Sequence, residues 1–264
     1  MSTFRRRAWR VAANLATLAN GLCGLGAISY VLLGNKVFAL FLILAGVGWD
    51  GLDGFFSRRA GGGESVFGRV ADSVSDAVTF CVAPGLAVAV NYYDVPVWSP
   101  YTLVAWTAGG AIAAVGLARL VYYTLVAYRR QHFSGASTPQ NAMWVVVLLL
   151  LFQFPGFLGE QPLVLLPLVI LFVPLMVLPL RYPKMRRGAP LRRMSAVMAA
   201  ALSVSLIAAS LLWSVGSVFR AFLYPVAFAG AVVAFALLLV FYLAGPLVTP
   251  KEVDHAPHQA APAP

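Results

Sequence analysis

From Val37 to Asp76 the chain reads VFALFLILAGVGWDGLDGFFSRRAGGGESVFGRVADSVSD. It is apolar from Val37 to Trp49, and four aspartates follow, Asp50, Asp53, Asp72 and Asp76, in two pairs separated by a basic, glycine-rich break. An apolar run of about 20 residues is the length an α-helix needs to cross a hydrocarbon core. Runs of this kind recur through the 264 residues, of which 61% are hydrophobic and 11% charged, with a mean hydropathy of +0.83. That composition excludes a soluble enzyme, a disordered chain and a secreted disulfide scaffold, and it predicts an integral membrane protein. Cys23 and Cys81 both lie inside apolar runs and read as small buried side chains. Only helices satisfy so much backbone in lipid, since the alternation of a membrane barrel is missing from the sequence. The expected fold is an all-α bundle.

Working outward, hydropathy and the Gly/Pro breaks give about eight transmembrane helices, at approximately 11–33, 36–57, 66–91, 100–127, 139–155, 162–180, 195–214 and 220–245. Residues 1–250 read as one polytopic domain, and the Ala/Pro-rich residues 251–264 as a disordered tail. The apolar stretch after Arg10 is too long for a cleaved signal and reads as a retained first helix. Of the 19 Lys and Arg residues, 16 fall on one side of this arrangement: the N-terminal arginines Arg5, Arg6, Arg7 and Arg10, the second, fourth and sixth loops, and Lys251. Short cytoplasmic loops carry the excess of Lys and Arg, so both termini and the acid-bearing ends of spans two and three are expected in the cytoplasm. The net charge of +10 thus reads as topology plus attraction to anionic headgroups of the bilayer, and no nucleic-acid partner is expected.

The aspartates are the chemistry-bearing feature. Asp50 and Asp53 are spaced i, i+3 and Asp72 and Asp76 i, i+4, so each pair occupies one helix face. The short connection makes the two spans antiparallel neighbours, with the pairs at similar depth. A carboxylate within a span costs about 2.5 to 3.5 kcal/mol on insertion scales, and four facing carboxylates also repel. An ion cluster with Arg58, Arg59 and Arg69 would need fewer acids than converge here. A divalent-metal site accounts for the number and spacing, and oxygen-only ligands select Mg²⁺, Mn²⁺ or Ca²⁺ over zinc. Two ions are compatible with four carboxylates. Gly54 and Gly68 bracket the acids and, with Arg58, suit a cradle for a metal-bound diphosphate.

Asp50, Asp53, Gly54, Arg58, Gly68, Asp72 and Asp76 reproduce the pattern D-x-x-D-G-x-x-A-R, spacer, G-x-x-x-D-x-x-x-D, and on these residues the chain resembles the CDP-alcohol phosphatidyltransferase family. It departs from the pattern at Ser57, where alanine is usual, and in one extra spacer residue beside Gly61-Gly62-Gly63. The resemblance implies that Asp50 and Asp72 bridge two Mg²⁺ or Mn²⁺ ions, that Asp53 completes the first, and that Asp76 binds the second and acts as catalytic general base. It further implies that Asn14, Thr17, Gly54, Arg58, Ser65 and Gly68 bind the CDP-linked lipid, CDP-diacylglycerol or CDP-archaeol. The reaction implied is displacement at the β-phosphorus by an alcohol, with release of CMP, in phospholipid biosynthesis at the cell membrane.

Further segments are similar to the serine-accepting branch of that family. They are Asn14-Leu15-Ala16-Thr17-Leu18-Ala19-Asn20, the run Asp72 to Pro84, Leu117-Ala118-Arg119-Leu120, and Phe133 to Pro139. L-serine is therefore the expected acceptor, with inositol phosphate or glycerol phosphate as the alternative. Arg119, the one Lys or Arg deep within an expected span rather than at its end, is the candidate for the acceptor's carboxylate. A homodimer is compatible with this reading. An aspartate-rich membrane prenyltransferase and a cation transporter are the readings from other classes. The first usually carries its acid motifs on distant helices, and the second would place its acids at the midplane, without an arginine following them.

Overall fold

The computed structural model describes residues 3–61, 66–90, 99–125, 133–134, 137–151, 173–178, 181–182, 207–208 and 217–248. Helix α1 (Thr3–Leu32) and α2 (Lys36–Arg59) form an antiparallel hairpin with the most extensive helix–helix interface among the described residues. Their turn follows from two residues. Gly34 takes φ of +81°, which costs glycine nothing, and its N–H bonds the Val31 carbonyl while that of Asn35 reaches Tyr30. The Asn35 side chain then caps α2 by accepting from the Phe38 N–H at 3.2 Å. The buried stripe of α1 is Ala16, Asn20, Gly24, Ala27 and Val31, small residues that let the neighbouring helices approach.

The third span has three parts: α3 (Val66–Asp76), a π-helical turn (Ala77–Val82) and α4 (Ala83–Val90). Pro84 is the cause of the change. It has no N–H for the Phe80 carbonyl and its ring crowds that carbonyl, so the preceding turn widens and the Ala83 N–H bonds Val78, five residues back. Helix α5 (Pro100–Leu125) packs closely on α4, with Gly85 and Gly109 facing each other at a separation that a side chain on either would obstruct.

Helix α6 (Thr138–Leu151) is buried on all sides from Asn141 to Leu151, among α2, the π-turn, α4, α5 and α7 (Ser217–Val248), with Trp144 stacked on Phe235 of α7. A helix this apolar all round belongs in the centre of a bundle. A 3₁₀ turn at Pro174–Met176 and an antiparallel pairing of Phe133–Ser134 with Arg181–Tyr182 complete the described elements.

The protein is an all-α, multi-pass membrane protein, with five helices long and apolar enough to cross a membrane among the described residues. The expected spans at 36–57, 66–91 and 100–127 coincide with helices to within a few residues. The helix at 11–33 begins at Thr3 because Arg5 to Arg10 continue it beyond the apolar run. Within the expected span 162–180, residues 173–178 form a turn and 3₁₀ helix in place of an α-helix, since Pro174 removes a backbone donor. The rest of that span, almost all of 195–214 and the tail from 251 lie outside the described residues, so a count of eight is not established.

Candidate metal and phosphate site

The charged ends of α1, α2 and α3 converge at one end of the bundle. Carboxylate oxygens of Asp50, Asp72 and Asp76 lie within 4.8 Å of one another, a group of acids that could hold a metal ion. The donor set is oxygen only, which suits a hard divalent cation. Asp76, 9% exposed, lies within electrostatic reach of Asp53 as well as of Asp50 and Asp72. Acids from both helices thus lie together, Asp50 of α2 with Asp72 and Asp76 of α3. Their charge also makes a case for a cation: so many carboxylates taken from water into a low-dielectric site repel strongly unless something positive lies between them.

Asp53 is held from α1. Its Oδ2 accepts a hydrogen bond from the Thr17 hydroxyl at 2.8 Å, across from α1. That hydroxyl also has the Ala13 carbonyl at 3.2 Å, but its one proton goes to the nearer, charged acceptor. Thr17 thus stands against the acid cluster, and Asn14 lies exposed one turn before it. Gly54 and Arg58 lie together: a Cβ on Gly54 would meet the Arg58 guanidinium at 3.0 Å, so the glycine leaves room for the arginine to fold back along α2. Gly68 is half-buried on α3, one turn before Asp72. Ser65 lies outside the described residues. Arg59, exposed, sits over the rings of Phe55 at 4.6 Å and Trp9 at 5.5 Å, while Trp9 stacks on Phe56, so α1 and α2 are also pinned at this end by aromatic contacts.

Asn20 and Thr79 are residues whose part here the sequence analysis did not assign. Asn20, 0% exposed, donates from Nδ2 to Asp76 Oδ1 at 2.9 Å, and the Thr79 hydroxyl donates to the Asn20 carbonyl at 2.8 Å. The sequence did carry a sign of both, since a polar side chain inside an apolar span must face a partner or a cavity. Glycines make these contacts possible. A Cβ on Gly21 would press on Ser75 Oγ at 3.0 Å, one on Gly24 would run into the Thr79 backbone at 2.8 Å, and one on Gly46 would collide with Thr79 and approach Asn20 Oδ1.

On α5, Arg119 is 8% exposed and its guanidinium lies 4.6 Å from the Tyr123 ring centroid. Gly116, one turn earlier, faces Cys81 of the π-turn, and Cys81 lies within electrostatic reach of both Asp76 and Arg119. The buried cation thus sits on the same side of the core as the acids. Ser73 and Thr124, hydroxyl to hydroxyl at 2.7 Å, tie α3 to α5 beside it.

The CDP-alcohol phosphatidyltransferase model matches residues 10–180, well over half of the chain. The chain belongs to the CDP-alcohol phosphatidyltransferase family and is a transferase of phospholipid biosynthesis. Similar proteins include the CDP-diacylglycerol--serine O-phosphatidyltransferases of three bacteria. The Bacillus subtilis protein is 31% identical over 51% of this chain and 72% of its own length. That of Mycobacterium leprae is 33% identical over 54% and 49%, and that of Helicobacter pylori 29% over 66% and 72%.

Proposed function

We propose that the chain transfers a phosphatidyl or archaetidyl group from a CDP-linked lipid to the hydroxyl of L-serine, releasing CMP. The family supplies the reaction class, and the observation that carries the site is the convergence of Asp50, Asp72 and Asp76 beside Asp53. For serine, the support is the similarity to the three bacterial serine O-phosphatidyltransferases together with Arg119, a buried guanidinium on the acids' side of the core. Guanidinium and carboxylate pair in a bidentate way that an ammonium cannot reproduce.

In this reading Asp76 stands where it can take the proton of the acceptor hydroxyl. The serine oxygen bonds to the β-phosphorus, the bond from that phosphorus to the CMP oxygen breaks, the electron pair leaves with CMP, and the proton passes to Asp76. Asp50, Asp53, Asp72 and Asp76 would hold two Mg²⁺ or Mn²⁺ ions, whose chemistry when bound is to neutralise the diphosphate and the departing phosphate. Gly54, Arg58 and Gly68, with Asn14, Thr17 and Ser65, are assigned to the CDP moiety. Arg119 is assigned to the carboxylate of serine, which it orients and retains.

The protein resides in this reading in the cell membrane with both termini and the acid cluster toward the cytoplasm, supported by the distribution of Lys and Arg. A cysteine introduced at Asp94 is then labelled by an impermeant reagent from outside, and labelling only after lysis reverses the orientation. The decisive experiment for function supplies purified protein with Mg²⁺ or Mn²⁺, radiolabelled CDP-lipid and a panel of acceptors. Serine-dependent CMP release is expected. Transfer to glycerol phosphate or inositol phosphate with serine ignored would overturn the acceptor and leave the reaction class standing.

A further inference from the structure

Asn20 has no part in the reaction just described, yet it is fully buried where α1 meets α2 and the π-turn. Its Nδ2 lies 2.9 Å from Asp76 Oδ1, and the reverse orientation of the amide would set two acceptors against each other. Its backbone carbonyl is held by Thr79, which lies inside the π-turn three positions after Asp76. Gly24 and Gly46 leave the space in which Thr79 and Asn20 meet. The other amide atom, Oδ1 of Asn20, is buried and accepts no hydrogen bond among the described residues. Leaving a buried acceptor unsatisfied is unfavourable, and an apolar side chain of the same shape would avoid it. What the amide alone supplies is the contact to Asp76.

A carboxylate at the end of a side chain can rotate about two torsions. Pinning one oxygen fixes its plane and leaves the other to act. We infer that Asn20 is a positioning residue for Asp76: it holds Oδ1, so that Oδ2 is the oxygen presented to a divalent cation and to the acceptor hydroxyl. One turn earlier on the same face of α1, Thr17 holds Oδ2 of Asp53 in the same manner. Helix α1 thus grips one acid from each pair, on two different helices, with neutral donors that add no charge to the site. Groups that orient metal-binding side chains commonly matter about 10- to 100-fold for affinity or activity. The inference rests on the proposed metal and base roles of Asp76.

The test compares Asn20→Leu, which removes the donor and keeps the volume, with Thr79→Val, which removes a hydroxyl from the same junction without touching Asp76. Detergent-purified proteins are titrated with Mn²⁺, followed by electron paramagnetic resonance, and assayed for CMP release. Asn20→Leu is expected to weaken Mn²⁺ binding and lower kcat, each by about 10-fold or more, with KM for the CDP-lipid changed less than about 3-fold. Thr79→Val is expected to stay within about 3-fold of wild type in all three. If Asn20→Leu does not fold, Asn20→Ser, whose hydroxyl is too short to reach Asp76, must show the same losses. Equal losses in Asn20→Leu and Thr79→Val, or normal Mn²⁺ binding and turnover in Asn20→Leu, would sink the role of Asn20 while the metal reading stands. A wild-type protein that binds no Mn²⁺ would sink both.

Discussion

The ends of α2 and α3 carry the same cargo, two aspartates on one helical face, and are built in different ways. Helix α2 runs as a regular α-helix through Asp50 and Asp53 to Arg59, and closes with Gly61 at φ of +100°. Helix α3 changes to a π-turn immediately after Asp76, because Pro84 withholds an N–H from Phe80. The first pair is aimed by helix periodicity alone. The second is aimed by periodicity plus a widened turn, and α1 meets this half directly through the Asn20 amide on Asp76. A site assembled from two helices needs one rigid half and one half whose register is adjusted, and here the adjusted half holds the proposed base.

Breaking the comparison starts with the acids themselves. Asp76→Asn is expected to lower kcat by about a thousandfold while CDP-lipid binding stays within a few fold, because three carboxylates remain and the base is lost. Asp50→Asn should weaken lipid binding as well, as measured by titration with a non-reacting CDP-lipid analogue. Near-normal turnover by the Asp76 variant would remove it as base. Next comes the turn: Pro84→Ala supplies the missing donor, and with it the π-turn loses its cause. A fall in kcat of about 10-fold is expected, with Tm unchanged or higher, since a proline is removed from a helix interior. No change in kcat would mean that the widened turn does not aim Asp76.

Arg119→Lys extends the comparison to α5, which packs on the π-turn through Gly116. It is expected to raise KM for serine by about 10-fold and KM for the CDP-lipid by less than about 3-fold, because an ammonium loses the bidentate pairing. An equal rise in both would place Arg119 outside the acceptor pocket. The smallest effect belongs to the regular helix. Gly48→Ala on α2, where a Cβ would meet nothing within 4 Å, should raise stability by about 0.5 to 1 kcal/mol and leave kcat alone. If it instead abolished activity, α2 would be adjusted in register too.

The spans from α1 to α5 were legible because an apolar run of fixed length has a single structural meaning in lipid. The acids were legible for a related reason: a charge in a span is costly enough that its spacing carries intent. Asn20 and Thr79 were not, because a neutral polar residue in a helix has many inexpensive partners, and which one it meets depends on the crossing of α1 over α3. The π-turn had its cause in plain view at Pro84, but a proline in a span predicts an irregularity and not its kind. Arg119 was singled out as the buried cation; its neighbours, Tyr123 and Cys81, come from helical register and from packing that no local pattern encodes.

The turn at Gly34 and Asn35 has a bearing on how the protein is made. With so short a link, α1 and α2 can close as a helical hairpin before α3 has emerged, and both members of the Thr17 and Asp53 pair are then present. The carboxylate of α2 that pairs with α1 can thus enter the bilayer already accompanied. Asp76 meets a helix that is in place before it, so the order of translation runs from the hairpin as template to the acid that is fitted onto it.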